Sequence, residues 1–336
     1  MLNNQSILIT GGTGSFGKKF IEIVLKKYKP KRLIIYSRDE QKQFQLQQKW
    51  KINKSSIIRY FIGDIRDLNR LKLATKNVDI VIHAAALKHV PIAEYNPFEV
   101  VKTNVLGAQN VVDACMENNV KKIIALSTDK ASSPVNLYGA TKLTSDKLFV
   151  SANNYTGGQK IKFAVVRYGN VMGSRGSVVP FFLQNKEKKY LPITDKRMTR
   201  FNITLEKGVE FVLFCLNSML GGEIFIPKIP SYKIVDVAKA IAPKKNIKIV
   251  GIRPGEKIHE EMVSNTDAIN TIEYKKYFVI TPNSKFINWD KKKYMKLKRG
   301  GKSCTAGFSY NSKSNKEFLS ISKIQKLIKS QSSDFE

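Results

Sequence analysis

Cysteine, histidine and acidic residues are scarce in this chain, and the first two scarcities each remove a class of protein. Three cysteines in 336 residues (Cys115, Cys215, Cys304) are odd in number and form no C-x-x-C, so neither a disulfide framework nor a zinc site is supported. The three histidines, His83, His89 and His259, are scattered, which argues against a metal centre; His83, inside an apolar run, reads as core or cofactor wall. No apolar run reaches the roughly 18–20 residues that cross a bilayer. The opening Met1-Leu-Asn-Asn-Gln-Ser6 also lacks the basic, apolar, small-residue order of a secretory signal. The expectation is a cytoplasmic protein with no membrane insertion.

Acidic side chains number 27 against 58 Lys plus Arg, a net charge of +31. Such a surplus invites a nucleic-acid hypothesis. Yet only 11 of those cations are Arg, leaving 47 Lys, and bidentate base readers rely on Arg. The surplus therefore reads as a Lys-rich surface without a nucleic-acid partner. Its densest stretch, Lys291–Lys302, reads as a solvated loop.

What is present is a globular pattern, 42% hydrophobic and 25% charged. Short β-branched runs at Ser6–Thr10, Arg32–Tyr36, Ile57–Ile62, Asp79–Ala84, Lys121–Ser127 and Lys162–Tyr168 predict strands. Helix-like segments lie between them: Ser15–Lys27, Glu40–Lys51, Leu68–Lys76, Phe98–Asn118 and Leu137–Asn153. Near-continuous apolar strands alternating with helices predict an α/β fold, a doubly wound parallel Rossmann sheet over residues 1–170. Beyond it the alternation lapses, and 171–336 reads as a smaller α+β substrate-binding portion with a frayed end at Ser330–Glu336.

Ile7-Leu-Ile-Thr-Gly-Gly-Thr-Gly-Ser-Phe-Gly17 runs from an apolar strand through a glycine turn into a helix. Gly11, Gly14 and Gly17, with Thr13, Ser15 and Phe16 between them, form a G-x-x-G-x-x-G cradle. Its backbone N–H groups can approach a pyrophosphate at the helix's positive end. The second strand ends in Tyr36-Ser37-Arg38-Asp39. Ser37 and Arg38, helped by Lys42, can hold a ribose 2′-phosphate, which favours NADP over NAD. Asp39 can cap the next helix or touch a ribose hydroxyl. Asp64 and Ile65 fall beside the adenine, and Ala84-Ala85-Ala86 offers small side chains where a dinucleotide comes close.

Tyr138-Gly-Ala-Thr-Lys142 sets a phenol and an amine on one helical face. A free phenol has a pKa of about 10; a neighbouring ammonium and an oxidised nicotinamide both lower it. Leu126-Ser127-Thr128-Asp129-Lys130 ends the fifth strand, at the carboxyl edge where open α/β sheets bind ligands. Asp129 and Lys130 are thus an acid–base pair at the mouth of the cleft.

On these motifs the chain resembles the extended short-chain dehydrogenase/reductases, and within them the inverting UDP-N-acetylglucosamine 4,6-dehydratases of pseudaminic acid synthesis. The resemblance takes in Thr10–Gly17, His83–Pro91, Ser127–Lys130, Tyr138–Lys142, Arg167–Gly176, Met198–Phe201, Gly222–Pro230 and Gly251–Lys257. It implies oxidation at sugar carbon 4 by Tyr138 and Lys142, removal of the carbon 5 proton by Lys130, and protonation of the departing 6-hydroxyl by Asp129. Hydride then returns to carbon 6, and carbon 5 is inverted. Lys130 would have to act as a neutral amine, through a depressed pKa. The resemblance also implies UDP-sugar contacts at Lys88, Thr128, Asn170, Val178, Thr199 and Arg253. The loop Gly169–Arg175, with Val171 and Arg175 on the cofactor side, would lie near nicotinamide and diphosphate. Asn202 departs from the family, which has a bulkier aromatic there. Relatives form homo-oligomers. Competing readings are a nucleotide-sugar 4-epimerase, a retaining 4,6-dehydratase, and a basic Rossmann-derived nucleotide- or nucleic-acid-binding protein. Epimerases keep the tyrosine and lysine without the acid–base pair, and retaining relatives replace the tyrosine with Met.

Overall fold

A computed structural model describes residues 2–50, 57–174, 176–282 and 289–331. Six strands follow the sequence pattern: β1 (Ser6–Thr10), β2 (Arg32–Ser37), β3 (Ile58–Ile62), β4 (Ile80–His83), β5 (Lys122–Thr128) and β6 (Lys162–Tyr168). The helices between them are α1 (Ser15–Lys27), α2 (Glu40–Lys49), α3 (Leu68–Ala74), α4 (Val90–Tyr95), α5 (Pro97–Val101), α6 (Gly107–Glu117) and α7 (Leu137–Ser151). Every residue of β1 and β4 is buried, as strands covered on both faces require. α1 turns Phe20, Ile21 and Val24 onto the sheet and leaves Lys26 and Lys27 exposed at its end. The parallel order runs β6-β5-β4-β1-β2-β3, so the chain reverses direction between β1 and β4, the crevice where doubly wound sheets bind ligands.

Beyond residue 170 come β7 (Asn170–Val171), α8 (Val178–Gln184), β8 (Tyr190–Ile193), β9 (Thr199–Ile203), α9 (Leu205–Ser218), β10 (Ile224–Pro227), β11 (Ser231–Lys233), α10 (Ile234–Ile241) and β12 (Asn246–Ile249). They are followed by β13 (Glu261–Val263), β14 (Thr271–Glu273), β15 (Tyr277–Ile280), α11 (Lys291–Leu297), β16 (Lys302–Ser303), β17 (Tyr310–Asn311) and α12 (Ile321–Ser330). The strand–helix alternation therefore resumes after its expected lapse. β10 pairs parallel to β6, and β15, β14 and β16 extend the same sheet antiparallel to ten strands. A second, smaller core (Met172, Phe182, Leu191, Tyr232, Val237, Ile324) gathers α8, β8, β11, α10 and α12, while α9, β9, β13 and β17 pack into the main core. Ser332–Glu336, within the expected frayed end, lies outside the described residues.

The helix expected over Phe98–Asn118 runs on without a break but carries a π-turn at Lys102–Leu106, within which Asn104 bonds the loop after β4; one further expectation is corrected. The Lys-rich stretch is not a solvated loop. Asp290 caps α11 by accepting from Lys293 N at 3.0 Å, and buried Tyr294 packs on Trp289 with ring centroids 4.8 Å apart.

Candidate active site

The glycine turn is a backbone cradle. A Cβ at Gly17 would stand 2.4 Å from Gly12 O, so only glycine lets α1 start this close to β1. Gly14 is the N-cap of α1 and no side chain caps that end, which leaves the amides of Ser15, Phe16 and Gly17 facing the turn. Gly11 packs against Ala84 and Ala85 after β4, and the amides of those alanines donate to Thr10 Oγ1 at 3.2 and 3.3 Å; Ala86 follows. His83 Nδ1 lies 2.9 Å from Thr10 Oγ1, and burial pushes the imidazole down to about 3, so it stays neutral. It is a wall of the core, as its place in a strand suggested.

At the end of β2, Thr13 Oγ1 and Ser37 Oγ are 2.7 Å apart. Asp39 does what a cap does: its carboxylate accepts from Lys42 N at 2.9 Å and pairs with the Lys42 ammonium. Arg38, half-exposed, stands 3.5 Å from Asp64. Partial burial disfavours the Asp64 charge, but Arg66 and Arg38 prevail and hold the carboxyl below its usual range. Ile65 is buried beside Gly107.

The reaction centre is assembled where β5 ends and α7 begins. Thr128 Oγ1 accepts from Lys130 N at 3.3 Å and donates to Asp129 Oδ1 at 3.0 Å, closing a 3-10 turn. A Cβ on Gly139 would meet Lys130 O at 2.2 Å, so this glycine lets the Tyr138 helix lie directly on the acid–base turn. Tyr138 and Lys142 are both buried. Burial pushes the phenol up to about 12, against the pull of the Lys130 charge and a Thr128 hydrogen bond. Burial lowers the Lys142 ammonium, with Asp146 opposing. Ser127 donates to Asp146 at 2.8 Å, and Leu126 is half-buried on β5.

Lys130 departs from expectation. Its Nζ lies 3.1 Å from Asp129 Oδ1 and 3.2 Å from Glu260 Oε1. Burial works against the ammonium, yet the two carboxylates hold its pKa above the ordinary lysine value, so the depressed pKa is corrected. Asp129 moves the other way from a surface carboxylate: burial and the Glu260 charge push it up. Its Oδ2 has no hydrogen-bond partner among the described residues.

On the substrate side, Lys88 reaches solvent from a crowded cleft wall that lowers its ammonium, and Lys130 adds repulsion. Asn170 and Val171 pair with Asn202 and Ile203 of β9, and the Asn170 and Asn202 side-chain oxygens are both unpartnered among the described residues. Val178 opens α8. Thr199 Oγ1 is occupied, 2.8 Å from His259 and 2.7 Å from Ser312. Arg253 is exposed beside Glu256. Arg175 lies outside the described residues. Sequence reading missed Asn104, which bonds Leu87 and Thr141, and also Glu260, Arg200 and the buried Asp146–Arg167 pair. Among the described residues no cluster of His, Cys, Asp or Glu could hold a metal, and no helix is long and apolar enough to cross a membrane.

Residues 7–282, which carry every one of these groups but the C-terminal supports, match the family model described as polysaccharide biosynthesis protein. The chain belongs to that family. It is 57% identical over 331 residues to a UDP-N-acetylglucosamine 4,6-dehydratase (inverting) of Campylobacter jejuni subsp. jejuni serotype O:2, covering 98% of each chain. It is 40% identical to a UDP-glucose 4-epimerase of Rickettsia bellii, covering 87% of each. Among solved structures, Pen from Bacillus thuringiensis superposes with a TM-score of 0.88 at 37% identity, covering 99% of each chain. Family membership and a Rossmann-type parallel sheet thus agree with the motifs.

Proposed function

We propose that this family member is an inverting UDP-N-acetylglucosamine 4,6-dehydratase, a lyase that works with NADP. The observation that carries the reading is the pair of buried Asp129 with partly exposed Lys130, on a turn packed against the Tyr138 helix. An epimerase moves hydride off and back onto carbon 4 and breaks no carbon–oxygen bond, so it leaves that pair without work. A binding protein needs neither the pair nor Tyr138 and Lys142.

The glycine cradle, the uncapped start of α1 and the small Ala84–Ala86 wall fit a dinucleotide. Bound there, it supplies the acceptor for hydride from carbon 4 and the donor for hydride to carbon 6. The assigned contacts are the amides from Gly11 to Gly17, Asp64 and Ile65 at the adenine end, and Leu126, Ser127, Val171 and Arg175 toward the nicotinamide. Ser37 and Arg38 support NADP, because the Asp39 carboxylate is engaged in capping and in the pair with Lys42.

Tyr138, as phenolate beside Lys142, takes the proton of the 4-hydroxyl. The 4-ketone then acidifies the carbon 5 proton, which passes to Lys130. Asp129 protonates the departing 6-hydroxyl. For that chemistry the resting ion pair must first shift a proton from Lys130 to Asp129; burial and Glu260 push Asp129 up toward accepting it, while the two carboxylates beside Lys130 oppose its release. Lys88 and Arg253 serve the diphosphate as cations, and Thr128, Asn170, Val178 and the Thr199 strand line the sugar side. Residues 1–170 supply most of the dinucleotide contacts, and 171–336 join Lys88, Thr128 and Asn170 in holding the sugar nucleotide. Exposed Ile92, Tyr95, Phe98 and Leu106 on α4, α5 and the π-turn support a homo-oligomer. The product class, a UDP 4-keto-6-deoxy sugar inverted at carbon 5, suits the first step toward pseudaminic acid on flagellin, in the cytoplasm.

Incubation with UDP-N-acetylglucosamine in deuterated water tests the proposal. The expected product has lost water and carries deuterium at an inverted carbon 5. A 4-epimer, a retained carbon 5 or an unchanged substrate overturns it.

A further inference from the structure

Lys130 is gripped by two carboxylates, and only one belongs to its own turn. Glu260 immediately precedes β13, far along the chain, yet its Oε1 is 3.2 Å from Lys130 Nζ, against 3.1 Å for Asp129. The Glu260 side chain is 3% exposed. Its backbone is pinned at both ends by one residue: the amide donates to Ser312 Oγ at 2.9 Å, and the carbonyl accepts from Ser312 N at 2.7 Å. Arg200 Nε lies 3.6 Å from the same Oε1, and Oε2 has no hydrogen-bond partner among the described residues. A buried carboxylate is costly unless cations compensate it, so the placement is specific.

We propose that Glu260 is a positioning residue for the elimination: it holds the Lys130 nitrogen in the cleft and stabilises the ammonium formed when Lys130 takes the carbon 5 proton. The inference rests on the dehydratase reading for the step it serves. Before elimination the pair is neutral, Lys130 as amine and Asp129 as acid. The carbon 5–hydrogen bond breaks, its proton going to Lys130 Nζ and its electron pair to a new carbon 5–carbon 6 double bond. The carbon 6–oxygen bond breaks, and the oxygen leaves as water with the Asp129 proton. The step ends with Lys130 charged between two carboxylates, the arrangement the structure holds. The other groups facing Lys130 are Arg200 from β9, Lys88 after β4, Lys257, and the phenols of Tyr138 and Tyr232. Three of these are cations, so Asp129 and Glu260 supply the counter-charge among the described residues.

The test compares Glu260→Gln and Glu260→Asp with the parent chain. The carbon-13 signal of the Lys130 ε-methylene is followed against pH and assigned by its loss in Lys130→Met. In the parent it stays at its ammonium position past the ordinary lysine value of about 10.4. In Glu260→Gln it titrates at least about one unit lower, with Glu260→Asp between, since one unit is what a lost close counter-charge commonly moves. Turnover is read separately: deuterium entry at carbon 5 falls at least about tenfold in Glu260→Gln, while oxidation at carbon 4, seen as a transient reduced nicotinamide, keeps the parent rate. An unmoved Lys130 titration in both variants, or equal loss of both half-reactions, overturns the role of Glu260. Where the parent leaves UDP-N-acetylglucosamine untouched, the dehydratase reading and the elimination role both fall, while a shifted titration still upholds the charge anchoring. Should Glu260→Gln fail to fold, the intermediate shift in Glu260→Asp decides.

Discussion

The guanidinium of Arg167 stands 3.1 Å from the carboxylate of Asp146, and both side chains are sealed from solvent. Asp146 lies one turn beyond Lys142 on α7 and also accepts from Ser127 at 2.8 Å. Arg167, on β6, donates to Met262 O in β13 at 3.0 Å, so one ion pair ties the catalytic helix to the strand that follows Glu260. Removing one partner of such a pair leaves a buried charge alone. Arg167→Leu should therefore cost about 3–5 kcal/mol in urea unfolding, and adding Asp146→Leu should recover part of it. A loss under about 1 kcal/mol, the range of exposed pairs, would show that the pair holds nothing.

His83 makes stability depend on pH with a definite sign. Burial lowers its pKa to about 3 in the folded chain, against about 6.5 unfolded. The unfolded chain thus binds the extra proton between those values. Stability from this group is complete above about pH 6.5 and falls as acid is added toward pH 3, by up to about 1.4 kcal/mol per pH unit. Urea midpoints at pH 7 and pH 5 measure it. In His83→Gln the difference between the two should shrink; an unchanged difference assigns the acid sensitivity elsewhere.

Gly139 controls how closely the two halves of the reaction centre approach. An added Cβ would meet the Lys130 carbonyl oxygen at 2.2 Å, so Gly139→Ala must push α7 away from the acid–base turn. A displacement of about 1 Å at reacting groups can cost about a hundredfold in rate. Gly139→Ala should bind dinucleotide within a few-fold of the parent and lose turnover on that scale. Parent-like turnover would mean that the turn yields without consequence.

The first half of the fold was legible because both ingredients were local. Runs such as Ile7-Leu-Ile9 and Ile80-Val-Ile82 are apolar on both faces, and the glycine turn follows the first of them directly. Tyr138 and Lys142 share a helix face by spacing alone. What was hidden depends on contacts between distant segments. Glu260 reads as one more acid in His259-Glu-Glu261, and only the crossing of β13 beside the turn after β5 brings it to Lys130. For the same reason the Lys130 charge exceeds what its neighbours in sequence imply: the sequence displays one carboxylate beside it, and the fold supplies a second. The π-turn was invisible because the contact within it, Asn104 bonding Leu87, is tertiary. In α11 the lysines masked the single buried anchor, Tyr294.

Arg38 offers a direct test of cofactor choice. Its side chain is half-exposed and 3.5 Å from Asp64, a contact loose enough to be exchanged for phosphate oxygens. A charge-assisted hydrogen bond contributes about 1.5–3 kcal/mol. Arg38→Ala should weaken NADP binding by roughly 10- to 150-fold by calorimetry, with NAD changed little, and the NADP loss should shrink as salt is raised. Equal weakening of both dinucleotides would remove the 2′-phosphate from the Arg38 site.

Tyr138 by itself is a poor base at neutral pH. Burial pushes its pKa up to about 12, so the neutral phenol dominates at pH 7. Lys142 lies one turn away on the same helix, and the positive charge of an oxidised nicotinamide favours the phenolate in the same way. Difference absorbance of tyrosinate should contain one step that is lost in Tyr138→Phe, and oxidised dinucleotide should move that step down by at least about one unit. Because the phenolate is the reactive form, turnover should rise with pH through the lowered value. Tyr138→Phe should keep KM within a few-fold and lower kcat by about 10²- to 10⁴-fold. Undiminished kcat in that variant would take the phenol out of the proton transfer and leave Lys142 to be explained by packing alone.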